Sequence, residues 1–322
     1  MSAQIIVAAP DAAPSAIDAL LAAGIRLIQA MQEAGGAPLA TVSKIATWIG
    51  DPASYIILLA ALMWCVNRRT AYRLALILVV SNALNIIIKN AVQLPRPYHQ
   101  VSGLNLIEET GYSFPSGHSQ NSAAFWLCAI SALTGKKKYA LLLLPLCIGL
   151  SRICLGLHYP TDVLAGWIAG SLIALVVLTV LPPLARFILL RAPILKEESV
   201  AQRMPLILAA AAALAFNGFS GGDTSMGGLL FGMVAARYVL EKKGLASKIT
   251  AQEGRLAVKA ARLGLGLVVL AGLYLGLRQV APGAQSPHYT LFRFLRYALV
   301  GAWVTGGAPA LFLRCGLSGT RQ

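Results

Sequence analysis

The sequence predicts an all-α, polytopic integral membrane protein with about nine transmembrane helices. Three observations lead there. Hydrophobic residues make up 57% of the 322 and charged residues only 12%, against the quarter or so carried by soluble domains. Mean hydropathy is +0.69. Apolar runs near the ~20 residues needed to cross hydrocarbon recur along most of the chain. The formal net charge of +15 would suggest nucleic-acid binding in a soluble protein, but here the clustering of positive charge on one side of the membrane accounts for it.

Taken in order, residues 1–51 contain an amphipathic helix over 16–32 (AIDALLAAGIRLIQAMQ), with Asp18, Arg26 and Gln29 set among apolar positions at helical spacing. It suits the membrane interface better than a crossing, and a linker to residue 51 follows it. The basic-then-apolar profile of a signal peptide is not expected here. Spans are expected at 52–67, 71–92, 119–134, 139–156 and 162–184, which form a core over 52–185. Four more, at 204–220, 225–240, 262–280 and 291–313, form an extension over 186–322. The sixth and seventh are separated by NGFSGGD, so a re-entrant hairpin is the alternative for that pair.

Charge supports this threading. Alternate connections hold 19 of the 27 lysines and arginines with only four acids, Glu197, Glu198, Glu241 and Glu253. That side is expected to be cytoplasmic, with the N-terminus out and the C-terminus in. Cys65, Cys128, Cys147, Cys154 and Cys315 form no CxxC pair. They read as small buried hydrophobes, not as disulfides or a zinc site. Gly166/Gly170 and Gly272/Gly276 are small-residue faces for close helix packing. The glycines near Gly264 follow no strand and make no dinucleotide loop. His99 and His288 read as bystanders.

Three polar islands interrupt the hydrocarbon between residues 89 and 162, and the threading brings all of them out on the non-cytoplasmic face. KNAVQLPRP carries Lys89 and Arg96, with prolines that stop the helix and stiffen the chain before Arg96. Taken alone, this pair could equally be snorkelling interface anchors. In FPSGHS, Ser116 can cap the next helix and Gly117 lets backbone approach an anion, while His118 can donate a proton. A plain capped helix start with an interface histidine is the alternative. In SRICLGLHYPTD, His158 and Asp162 stand four apart across Pro160, so the carboxylate could fix the imidazole tautomer and leave the other nitrogen free to attack. A purely structural His–Asp bond is the rival there. Arg152 completes the cation set, and charged groups at membrane depth are costly enough to imply a function. Together the islands describe a site for a phosphoryl group.

These three motifs, in order and at this spacing, resemble the type 2 phosphatidic acid phosphatase superfamily, which includes lipid phosphate phosphatases, glucose-6-phosphatase and vanadium haloperoxidases. The resemblance covers roughly residues 52–185. It implies that Lys89, Arg96 and Arg152 bind phosphate with the Ser116 and Gly117 N–H groups. It also implies that His158 is a nucleophile forming a phosphohistidine, that Asp162 orients it, and that His118 protonates the leaving group. No cofactor and no metal are implied.

The expected activity is hydrolysis of a lipid phosphate or diphosphate at the outer face of the cytoplasmic membrane. Candidate substrates are undecaprenyl diphosphate, phosphatidylglycerol phosphate, phosphatidic acid and a lipid A phosphate. The expected partners are the lipid substrate and the bilayer, with no nucleic acid, and homo-oligomerisation is left open. The rivals are a phosphotransferase with the same site, a sugar-phosphate phosphatase, and a non-catalytic lipid-phosphate binder or flippase.

Overall fold

A computed structural model describes residues 15–181, 224–249, 254–283 and 285–317, together with the single residues 183, 208, 209 and 212. The described residues are helical, with no strand among them. Helix α1 (Ala16–Ile49) opens with a reciprocal cap between Ser15 and Asp18 and breaks direction at Gly36, where φ is 50°. Over 16–32 its Leu21, Ile25 and Ile28 are buried against Leu104, Ile153, Tyr159 and Val163, while Ile17, Leu20 and Leu27 stay exposed, so protein covers part of the apolar surface of this amphipathic helix. The 33–51 stretch is not a linker, because the helix continues to Ile49.

The next helices follow the apolar runs. They are α2 (Pro52–Cys65), α3 (Arg68–Val92), the one-turn α4 (Pro97–Gln100), α5 (Gly117–Ser131), α6 (Leu143–Cys154) and α7 (Pro160–Leu175). A 3-10 turn over Lys136–Leu142 leads into α6, and a π segment, Val176–Val180, prolongs α7. Asn67 caps α3 by accepting from Thr70 N–H. At the far end Gln93 adopts the left-handed conformation, with φ 54°, and turns the chain toward Pro95.

Later come α8 (Ser225–Lys242), α9 (Leu256–Gln279), α10 (Tyr289–Ala302) and α11 (Ala308–Arg314), the last two joined by a π segment over Trp303–Gly307. The expected span at 204–220, and with it the hairpin alternative, falls outside the described residues. Among the described residues, Arg68–Gln100, Pro160–Val180 and Leu256–Gln279 are long and apolar enough to cross a membrane. The pair Ala16–Ile49 and Pro52–Cys65, bent by 48°, makes a fourth if it counts as one span. The chain is a helical membrane protein.

Close packing depends on small residues. α5 and α7 approach so nearly that a Cβ added at Gly166 would stand 2.6 Å from Ser116 O, and one at Gly170 2.9 Å from Ala123 Cβ. In α8, Gly228 and Gly232 lie against the backbone carbonyls of Phe294 and Ala298 in α10. Of the cysteines, Cys65, Cys128 and Cys154 are buried as expected, whereas Cys147 and Cys315 are exposed on the protein surface.

The extension docks on α2 and the first turn of α3. Trp64 Nε1–H donates to Val304 O at 3.0 Å, and Arg262 donates to Trp64 O at 3.2 Å. Arg68 reaches Thr305 O at 3.4 Å. From Arg68 to Lys89 α3 rises about 30 Å at 1.5 Å per residue, so the extension grips one end of this helix while the polar islands meet at the other.

Candidate active site

The three islands do meet. Proline stiffening delivers Arg96 into the interior, where its side chain is 2% exposed. Its Nε donates to Gly111 O at 2.9 Å, Nη1 to Leu157 O at 3.1 Å, and Nη2 to Thr110 O at 3.1 Å. Arg152, in the last turn of α6, is equally buried and donates to Thr47 Oγ1 of α1 at 2.6 Å. Both guanidiniums converge on one carboxylate. Arg96 Nη2 donates to Glu109 Oε1 at 2.9 Å, and Arg152 Nη2 donates to Glu109 Oε2. Burial alone would raise the Glu109 carboxyl. The charges of Arg152 and Arg96, with His118 adding to them, overcome that and hold it at about 2.

His158 sits in the turn between α6 and α7, and its side chain is 1% exposed. Its Nε2 lies 3.3 Å from Arg96 Nη1 and 4.0 Å from Glu109 Oε1. A guanidinium can only donate, so Nε2 accepts and the ring proton belongs on Nδ1. That nitrogen faces Asp162 Oδ2 at 3.4 Å, without the alignment of a hydrogen bond. Burial first, and then the charges of Arg152, Arg96 and Lys89, push His158 well below the ordinary histidine range. The ring is therefore neutral at pH 7.

Asp162 enters through the start of α7. Its Oδ2 accepts from Tyr159 N–H at 2.8 Å, closing the helix cap, and also from Ser113 Oγ. A carboxylate tied twice to its own surroundings makes a rigid wall for the imidazole.

Ser116 caps α5 by accepting from Ser119 N–H, as expected. Its own N–H goes to Asp162 O at 3.0 Å, so this amide ties the second island to the third. Gly117 borders the cavity, and a Cβ there would stand 2.9 Å from Asn85 Oδ1. His118 Nε2 lies 3.3 Å from Asp51 Oδ1. Burial first, and then the charge of Arg152, lower the imidazole below its ordinary value, and the Asp51 carboxylate opposes them without reversing the direction. Lys89 Nζ donates to Tyr112 O and to Ser113 O, the latter at 3.2 Å. It thereby holds the loop before α5, with its head near the cations. A cavity of about 240 Å³ is bordered by Lys89, Arg96, Glu109, Gly117 and His118, with Asn82 and Asn121 deeper between α3 and α5.

The eight residues singled out from sequence thus cluster together, with Lys89, Arg96, Gly117 and His118 bordering the cavity and Ser116, Arg152, His158 and Asp162 buried beside them, and His99 and His288 take no part. Sequence reasoning missed Glu109, Asp51, Thr47 and Ser113. The first had a signal. Glu108 and Glu109 are the only acids between Asp51 and Asp162, and so were the sole local candidates to meet buried arginines.

Among known proteins, the PAP2 superfamily description matches residues 70–186, and PAP2 superfamily phosphatase, transmembrane extension, matches residues 224–320. Decaprenylphosphoryl-5-phosphoribose phosphatase of Mycobacterium tuberculosis (strain ATCC 25618 / H37Rv) is 35% identical over 98 residues, which is 30% of this chain and 54% of that protein. Phosphatidylglycerophosphatase B of Bacillus subtilis (strain 168) is 32% identical over 118 residues, covering 33% of this chain and 56% of the relative. The chain spans about half the length of these curated relatives. The crystal structure of Aquifex aeolicus LpxE superposes with a TM-score of 0.43 at 22% identity, over 48% of this chain and 93% of that one.

Proposed function

Since this chain belongs to the PAP2 superfamily, we propose that it is a membrane phosphatase that removes a terminal phosphoryl group from a lipid phosphate or diphosphate, without a metal, through a phosphohistidine. The observation that carries this reading is the two-arginine cradle beside His158. Arg96 and Arg152 each grip a different oxygen of one carboxylate, next to an imidazole nitrogen whose proton sits on the far side. Two oxygens of a phosphoryl group present the same pair of acceptors.

In the first step His158 Nε2 attacks phosphorus. The P–N bond forms as the bond to the leaving oxygen breaks, and His118 gives its proton to that oxygen. Asp162 stabilises the charge that develops on the His158 ring, through Nδ1–H. In the second step a water oxygen attacks the phosphohistidine while neutral His118 takes its proton. The P–N bond then breaks and phosphate departs. Arg96 and Arg152 neutralise the equatorial oxygens throughout, which is the main demand of phosphoryl transfer. Lys89 adds positive charge and keeps the loop at 112–113 in place. Gly117 leaves room for the phosphoryl group at the start of α5.

The distribution of basic residues supports a site on the outer face of the cytoplasmic membrane, with the N-terminus out and the C-terminus in. Residues 52–185 carry the chemistry, and the described part of the 186–322 extension braces α2 and α3 through Arg262, Val304 and Thr305. The relatives support a lipid substrate. Lipid diphosphates of the undecaprenyl type, phosphatidylglycerol phosphate, phosphatidic acid and lipid A phosphates are the panel to assay. Purified full-length protein in detergent with EDTA should release inorganic phosphate from at least one of them, and His158→Ala should not. Equal release by the variant would remove His158 as the nucleophile. Lipid binding without turnover across the whole panel would overturn the enzyme reading.

A further inference from the structure

Glu109 is the one acid inside the cation cluster that the reaction does not use, and it stands where the phosphoryl oxygens would bind. We propose that Glu109 is an internal competitor, whose carboxylate occupies the Arg96–Arg152 cradle and keeps the weakly bound, abundant phosphodiester headgroups of bulk lipids from filling the idle site. This inference rests on the phosphatase reading of the same site.

The members of the cluster differ in freedom. Arg96 and Arg152 are 2% and 1% exposed, and other partners hold them: Gly111, Leu157 and Thr110 for the first, Thr47 for the second. The Glu109 side chain is 28% exposed and borders the cavity. Its backbone is pinned, because Tyr98 Oη–H donates to Glu109 O and Arg96 holds the next two carbonyls. The carboxylate can therefore leave by side-chain rotation alone, with the cradle still assembled behind it. Each oxygen pairs with a different arginine, as two phosphoryl oxygens would, so carboxylate and ligand exclude each other.

Competition of this kind weakens every anion by one common factor, because the same carboxylate must depart for each. Its effect on occupancy is selective. A phosphodiester has one negative charge and two free oxygens, and replacing Glu109 with it gains no charge in the cradle. A terminal phosphate brings a second charge and a third oxygen within reach of the Lys89 side of the cavity. A common penalty leaves the ratio of the two affinities unchanged, but it empties the idle site of the weak, abundant ligand while a ligand that binds tightly enough still saturates it.

The test compares the full-length protein with Glu109→Gln, which keeps the shape and removes the charge. Binding of inorganic phosphate at pH 8 and of dimethyl phosphate is measured by calorimetry, independently of turnover. Inhibition of lipid-phosphate hydrolysis by phosphatidylglycerol is followed alongside. The variant should bind both anions more tightly by a similar factor of roughly ten to a hundred, the scale of coupling between ligands that exclude one another. Its KM should fall with kcat little changed, and phosphatidylglycerol should become an inhibitor. Weaker binding of both anions would show that Glu109 only props the arginines in place, and unchanged binding would show that it does not compete. Either result overturns the proposal. A wild-type protein that binds phosphate yet hydrolyses no lipid phosphate would count against the catalytic reading alone.

Discussion

Two helix pairs in this molecule use the same packing device for different ends. In the core, α5 meets α7 through Gly166 and Gly170; in the extension, α8 meets α10 through Gly228 and Gly232. Around the second pair the close contacts are backbone carbonyls and rings, such as Phe231 on Phe294 with centroids 5.9 Å apart. Around the first, Ser116, Ser119, Gln120, Ser122 and Asp162 are all buried, and hydrogen bonds link them to α3 through Asn85 and Ser81. Packing small residues suffices to hold helices together in a membrane. The buried polar groups of the core add a desolvation cost that packing does not need, so they mark where function is concentrated.

The comparison breaks most sharply at His158. His158→Ala should lower lipid-phosphate hydrolysis by about 10⁴-fold or more, as losing a nucleophile does, while the protein still purifies as a folded species. Arg152→Lys removes the fork that binds one oxygen and should lower kcat/KM by about 10²–10³-fold. His118→Asn should lower kcat/KM for lipid substrates by about 10²-fold or more but lower that for p-nitrophenyl phosphate much less, because kcat/KM reports the phosphorylation of His158 and that leaving group needs no proton. An equal loss on both substrates would argue against His118 as the proton donor. On the other side of the comparison, Gly232→Val should lower Tm through overpacking worth about 1–3 kcal/mol and leave kcat of the folded fraction intact. A fall in kcat at unchanged Tm would mean the extension takes part in the chemistry.

pH gives the gentlest test. The folded protein holds His158 below the ordinary histidine value, so the neutral ring contributes stability above that value and loses it as pH falls through the depressed one. The acid limb of kcat/KM for His158 should therefore lie well below 6.5. Glu109 follows the same sign. Its stabilising ion pairs are intact above the ordinary carboxylate value and fail only as pH falls toward about 2.

Much of this was legible in the sequence. Apolar runs located most of the longer described helices beyond residue 51 to within a few residues, because a membrane makes hydropathy and secondary structure the same signal. Lys89, Arg96, Ser116, Gly117, His118, Arg152, His158 and Asp162 stood out because polar residues are scarce in such a chain. What stayed hidden came from contacts between distant segments. Part of the apolar surface of residues 16–32 packs on Ile153 and Tyr159, and nothing in its pattern tells that protein contact from lipid. Asp51 and Thr47 lie in an unremarkable helix end and reach His118 and Arg152 only through the bend between α1 and α2. Glu109 read as loop charge until the arginines closed around it.

The central claim is that the nucleophile lies beside the two-arginine cradle, and acid-free quenching during turnover of a labelled lipid phosphate tests it most directly. Mass spectrometry of the wild-type protein should find the phosphoryl group on His158, and Asp162→Asn should carry less of it. Label on any other side chain, or none while phosphate release continues, would contradict the account.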